Sequence, residues 1–226
     1  MPSRSSPIIT DQVYHVFNRS VGGVPIFVGK KEYHRFLGLV EYYRFCDPPV
    51  RFSFYNRADK QLKLSIQNSF HTSERLVSIL AYAAMPNHVH FVLKQEKENG
   101  ISIFMRLIQN SYAKYFNIKN KRFGALFQSL FKCVRIESDE QLLHVVRYVH
   151  LNPVTSFVLN SVTELETYPW TSYPNYLSGE LYSMVQTDDV LSHFKSIDLF
   201  EEFTKDQVGY QRTLAELRHV YLGSDV

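Results

Sequence analysis

The chain has 226 residues, 45% hydrophobic and 15% aromatic, enough apolar material for one compact domain with an appended segment. A net charge of +3 and a pI near 8.7 give only a faint pull toward anionic partners. Two distant cysteines, Cys46 and Cys133, make no C-x-x-C pair, and such a core needs neither disulfides nor a structural metal.

No run approaches a membrane span, and the opening "MPSRSSPIITDQ" lacks the apolar centre of a signal peptide. Those features point to a cytoplasmic protein without a membrane partner. In chain order, "QVYHVFNRS" (12–20) is rich in β-branched and aromatic residues and reads as a strand. "KKEYHRFLGLVEYYRFC" (30–46) places Phe36, Leu37, Val40 and Tyr43 at helical spacing, with Pro48-Pro49 ending the helix. A polar excursion over about 48–74 has room for one short helix. "RLVSILAYAAM" (75–85) and "HVHFVLKQ" (88–95) read as two strands of a hairpin turning at Met85-Pro86-Asn87. A helix over 100–121 follows, then a strand over 129–136. A further helix over 138–151 starts at Ser138, with Gln141 as capping-box partner, and stops at Asn152-Pro153.

The resulting order is strand–helix–strand–strand–helix–strand–helix. It predicts an α+β, ferredoxin-like (split βαβ) fold, a four-stranded antiparallel sheet with helices on one face. Residues 1–155 form this domain, and 156–226 form a C-terminal extension. The extension opens on the aromatic "TYPWTSYPNYLSG", read as pinning it to the domain, and offers helices around 188–204 and 206–221.

Chemistry concentrates in the second strand of the hairpin. Alternation puts His88 and His90 on one face, about 7 Å apart, and Val89 and Phe91 on the other, so neither imidazole need be buried. Two such imidazoles can converge on a metal ion, although an arbitrary H-x-H is more often a pair of exposed polar residues. A third ligand and a purpose come from "RYVHLN", which carries Tyr148, His150 and Asn152. There the (i, i+4) spacing sets Tyr148 and Asn152 on one helix face. A phenol with a pKa near 10 becomes a nucleophile when a metal or cation favours the phenolate or activates the electrophile. With 15 tyrosines in the chain, Tyr148 taken singly reads as a packing residue. Lys114, Lys119, Lys121 and Arg122 cluster at the end of the second helix, and Arg19, Lys132 and Arg135 are further candidates for phosphate contacts.

"MPNHVHFVLKQ", followed by "GALFQSLFKCVRIESDEQLLHVVRYVHLNPV", resembles the single-tyrosine HUH transposases of bacteria, in the branch of the REP-associated tyrosine transposases. The likeness covers roughly residues 10–155 and continues more weakly through "YPWTSY". Alone, His-Val-His is a weak signal; coupled to "YVHLNP" in this strand–helix order it is strong. The resemblance implies that Tyr148 is the catalytic tyrosine and that His88 and His90 are ligands of Mg2+ or Mn2+. Asn152 falls where relatives carry an amide that completes the metal site. It further implies cleavage and rejoining of single-stranded DNA at or near hairpins, through a 5′-phosphotyrosine, by a nucleoid-associated protein. Monomer and homodimer are both open. Two positions depart from the family pattern: Leu130 stands where arginine is usual, and Thr155-Ser156 where a basic residue often follows. Two rival readings are a non-catalytic ferredoxin-like nucleic-acid-binding module and a metal phosphodiesterase using water.

Overall fold

The structure, a computed structural model, describes residues 7–178 and 184–206. Its strands are β1 (Val13–Arg19), β2 (Val77–Met85), β3 (His88–Gln95) and β4 (Lys132–Arg135). Its helices are α1 (Lys30–Tyr43), α2 (Phe52–Tyr55), α3 (Lys60–Ser69), α4 (Gly100–Lys119), α5 (Asp139–Thr155), α6 (Tyr173–Ser178), α7 (Asp188–Leu191) and α8 (Ile197–Lys205). The sheet order is β2-β3-β1-β4, the antiparallel ferredoxin-like arrangement expected from the element order. The chain falls into two compact units. One comprises Met1–Ser78, Pro86–His88 and Leu93–Arg135; the other comprises Ile79–Met85, Val89–Val92 and Ile136–Val226. No helix among the described residues is long and apolar enough to cross a membrane.

In the first unit, β1 alternates as a half-buried strand should, with Tyr14, Val16 and Asn18 buried. Helices α1 and α4 pack together around Phe27, Phe36 and Tyr112, whose rings meet at 5.0–5.3 Å. The Tyr112 hydroxyl donates to the Ile26 carbonyl at 2.6 Å, so its polar end is satisfied inside the core.

Several expected boundaries shift for identifiable reasons. Helix α1 ends at Tyr43, before the proline pair, because the chain turns extended to pair with residues 74–76. There Leu76 N donates to Arg44 O and Cys46 N donates to Glu74 O, both at 2.8 Å. The excursion holds two helices rather than one, and Asp59 caps α3 by accepting from Leu62 N at 2.8 Å. Strand β4 is shorter than the expected 129–136. Phe17 pairs with Lys132 but Ser20 pairs with Phe127, so extra residues bulge out between those partners.

Gly100 opens α4 against the start of β2. A Cβ there would stand 2.1 Å from the Leu76 carbonyl oxygen, a backbone atom that cannot rotate away. Gly100→Ala therefore forces one backbone off the other and costs about 3 kcal/mol. A urea titration reads this as a lowered midpoint, and an unchanged midpoint would show that the contact yields freely.

Strand β2, which enters the second unit at Ile79, is buried at all nine positions although it is an edge strand of the sheet. The reason lies in the C-terminal extension, which covers that edge. Ala83 bridges Thr171 and Ile79 bridges Val185; Ala84 N donates to Trp170 O and Gln186 N to Ile79 O, both at 2.8 Å. The Tyr176 hydroxyl donates to Leu80 O at 2.7 Å. The aromatic run expected to pin the extension is thus packed: Trp170, Tyr173 and Tyr176 are buried. The expected helix around 188–204 is two short helices, α7 and α8; the one expected over 206–221 lies almost wholly outside the described residues.

Candidate active site

Helix α5 starts as its sequence dictates. Ser138 Oγ accepts from Gln141 N at 3.2 Å, and Gln141 Oε1 reaches back to accept from Glu137 N at 2.8 Å. That back-bond lands one residue earlier than in a standard capping box. The helix does not stop at Asn152-Pro153 but runs through Pro153 to Thr155. A proline so near the end removes one hydrogen bond, to Val149 O, and the last turn recovers bonds of its own. Ser156 N donates to Asn152 O, and Val158 N and Leu159 N both donate to Pro153 O, each at 2.9 Å.

This helix carries Tyr148 to the histidine strand. The rings of Tyr148 and His90 meet edge to face, with centroids 5.6 Å apart and planes at 89°. Tyr148 is half-buried, whereas His90 is buried at 6% exposure. The expectation that neither imidazole need be buried therefore fails for His90, because the tyrosine's helix supplies cover on that face. His88, half-buried, opens β3 directly after the turn. Its Nδ1 lies 2.6 Å from Asn87 Oδ1. With Nδ1 donating to that oxygen, the ring's acceptor lone pair resides on Nε2, a tautomer in which Nε2 can ligate a metal.

Asn152 is buried at 3% exposure, and its Oδ1 accepts from Ser156 Oγ at 3.3 Å. An amide oxygen has a second lone pair, so this bond does not bar it from a metal. Among the described residues, no three His, Cys, Asp or Glu side chains group as a metal site.

His150, which the sequence places between Tyr148 and Asn152, belongs elsewhere. It is fully buried, with Nε2 2.8 Å from Ser172 Oγ, among the rings of Tyr173, Tyr176 and Phe200 at 4.8–6.1 Å. Burial drives its pKa down to about 3, so it is a neutral packing residue at ordinary pH. Arg147 also points away: it donates to Phe203 O at 3.2 Å, with its guanidinium 4.2 Å from the Phe203 ring centroid.

The DNA-facing candidates divide by what they touch. Lys119 pairs with Glu32, which is buried at 4% exposure and joins α4 to α1. Burial alone would raise the Glu32 pKa, but the Lys119 ammonium and backbone donors hold it below the usual value. Arg122 donates to Asn117 Oδ1 and to the carbonyls of Gly124 and Ala125, and so builds the turn after α4. Arg135 donates to Gln12 Oε1 at 2.7 Å, and Arg19 is half-buried at the end of β1. Lys114, Lys121 and Lys132 are exposed.

One constellation escaped the sequence reading. His15 and Phe17 stack on one face of β1 with centroids 4.8 Å apart, and Lys132 Nζ lies 5.9 Å from the Phe17 ring centroid. Burial lowers the His15 pKa to about 4, which keeps that imidazole neutral. The alternation in "VYHVFNR" was the available signal, since it puts both rings on the face opposite Tyr14 and Val16.

Residues 50–152 match the family model described as IS200-like transposases. That span begins at the excursion and ends on Asn152, so it contains His88, His90 and Tyr148. No curated protein gives a significant match to the chain. A solved structure described as a REP-associated tyrosine transposase bound to a REP hairpin superposes with a TM-score of 0.53 at 16% identity. The alignment covers 84% of this chain and 93% of that one, and at this identity it speaks for the fold.

Proposed function

We propose that the chain, which matches the IS200-like transposases over residues 50–152, is a transposase of that kind and cuts and rejoins single-stranded DNA at or near hairpins with Tyr148 as nucleophile. The observation that carries this reading is the edge-to-face contact of Tyr148 with His90, which sets the phenol beside the His-Val-His strand. The hairpin-bound transposase with the same fold supports a hairpin as the substrate.

In the proposed step, the Tyr148 oxygen attacks the scissile phosphorus in line. The new P–O bond to tyrosine forms as the P–O3′ bond breaks, the phenol proton is given up, and the departing 3′ oxygen takes a proton. The product is a 5′-phosphotyrosine and a free 3′-hydroxyl. The phosphodiester energy is kept in the covalent bond, so the reverse attack by a 3′-hydroxyl rejoins DNA without a nucleotide cofactor. His88 and His90 would hold a divalent ion, Mg2+ or Mn2+, with Asn152 one helical turn beyond Tyr148 as the third group. When bound, such an ion acts as a Lewis acid on the phosphate and withdraws charge in the transition state. The His88–Asn87 bond fixes the imidazole tautomer, and the buried His90 ring keeps Tyr148 oriented.

The test is to incubate the chain with a pool of end-labelled single-stranded hairpins and resolve the products on a denaturing gel. Label that migrates with the protein is expected. Cleaved DNA with no protein-bound label would favour a water nucleophile and overturn the proposal.

A further inference from the structure

Residues 100–136 hold seven basic residues and no acidic one, a local bias far steeper than the net +3 of the whole chain. Within this stretch, α4 ends in a turn on which Phe123 stands 94% exposed. A phenyl ring left in water forgoes the burial that such rings otherwise gain.

The turn holds the ring out. Arg122 Nη2 donates to Ala125 O at 2.8 Å, and its Nη1 donates to Asn117 Oδ1 at 3.2 Å and to Gly124 O at 3.4 Å. Asn117 Nδ2 donates to Gly124 O and Arg122 N donates to Asn117 O, both at 2.9 Å. Lys121 at φ +50° and Gly124 at φ +90° reverse the chain on either side. A segment bonded this way has little freedom to fold its phenyl ring back onto the protein.

The surroundings select the partner. Lys121 is exposed, as is Lys114 one helical turn before the 70%-exposed Ile118, and among the described residues neither enters an ion pair. Arg122 and Lys119, by contrast, are committed within the protein. A single projecting ring beside uncommitted cations has too little apolar area for a protein interface, but it suits the flat face of a base next to phosphates.

We propose that Phe123 is a stacking contact for an unpaired DNA base, with Lys121 and Lys114 on the adjoining phosphates. The proposal rests on the transposase reading and names a residue that this reading does not include.

The experiment uses the full chain and hairpin oligonucleotides with single-stranded flanks, carrying 2-aminopurine at successive unpaired positions. Affinity is followed by anisotropy over a range of salt, alongside thermal melts of each variant. Phe123→Ala is expected to weaken hairpin binding about ten-fold and to remove the 2-aminopurine quenching seen with wild type, at unchanged salt slope and melting temperature. Phe123→Trp is expected to restore both readouts. Lys121→Ala should instead reduce the salt slope by about one while leaving the quenching in place. Unaltered affinity and quenching in Phe123→Ala would overturn the proposal, as would an equal loss on fully paired duplex. Failure of the wild-type chain to bind any hairpin would count against the transposase reading itself, a result distinct from those two.

Discussion

Tyr148→Phe is expected to abolish the covalent protein–DNA product while leaving hairpin binding intact, a loss of more than about a thousand-fold in strand cleavage. The substitution keeps the ring that meets His90 at 5.6 Å and keeps the half-buried volume, so α5 retains its packing. What it removes is the oxygen that would bond to phosphorus. Phenylalanine has no substitute nucleophile, and a water molecule would have to be placed and deprotonated where the phenol oxygen had stood. Binding by anisotropy and cleavage on a denaturing gel separate the two effects. Cleavage that persists in the phenylalanine variant would eliminate tyrosine as the nucleophile and leave the water-using phosphodiesterase as the reading to pursue.

Removing divalent metal is the second large effect. Chelation is expected to suppress cleavage about a hundred-fold or more, with recovery on adding Mg2+ or Mn2+, because an uncompensated scissile phosphate repels an approaching phenolate. His88→Ala should reproduce this loss without unfolding the protein, since His88 is half-buried at a turn, whereas His90 is packed under Tyr148. Asn87→Ala, which deletes the acceptor for His88 Nδ1, should have a smaller effect and weaken the metal response about ten-fold. Full activity in the presence of chelator would contradict the proposed roles of both histidines.

The strand–helix order was legible because its periodicities are local. β3 occupies the expected residues 88–95, and the alternation of "VYHVFNR" survives in the burial of β1. What period-two reading could not supply was cover from distant segments. His90 meets the ring of Tyr148, and Ile79, Tyr82, Ala83 and Ala84 of β2 pair with residues 170–172 and 185–186 along an edge. The same blindness to distant partners hid the end of α1. Proline spacing suggested a stop, but pairing of Arg44 and Cys46 with residues 74–76 turned the chain earlier. Pro153 misled in the opposite sense, since a proline in a final turn forfeits only one bond.

Within the candidate site, residue types were readable and commitments were not. His88, His90 and Tyr148 stood out through spacing plus resemblance, and the 5.6 Å ring contact gives His90 and Tyr148 a shared place. His150 carries the same chemistry in the same hexapeptide, yet it is sunk among Tyr173, Tyr176 and Phe200 of the extension. Among the cations, charge alone could not tell Lys119, tied to a buried Glu32, from Lys121, exposed two residues later. The exposed Phe123 carried no sequence signal, because its position depends on the hydrogen bonds of Arg122 and Asn117 around the turn.

The most direct measurement is the mass of the peptide that carries the DNA. The chain is reacted with single-stranded hairpins, digested with trypsin and nuclease, and the nucleotide-bearing peptides are sequenced by mass spectrometry. A nucleotide linked through its 5′-phosphate to Tyr148 is the result predicted. Linkage to a different tyrosine, or cleaved DNA with no linked peptide, would contradict it.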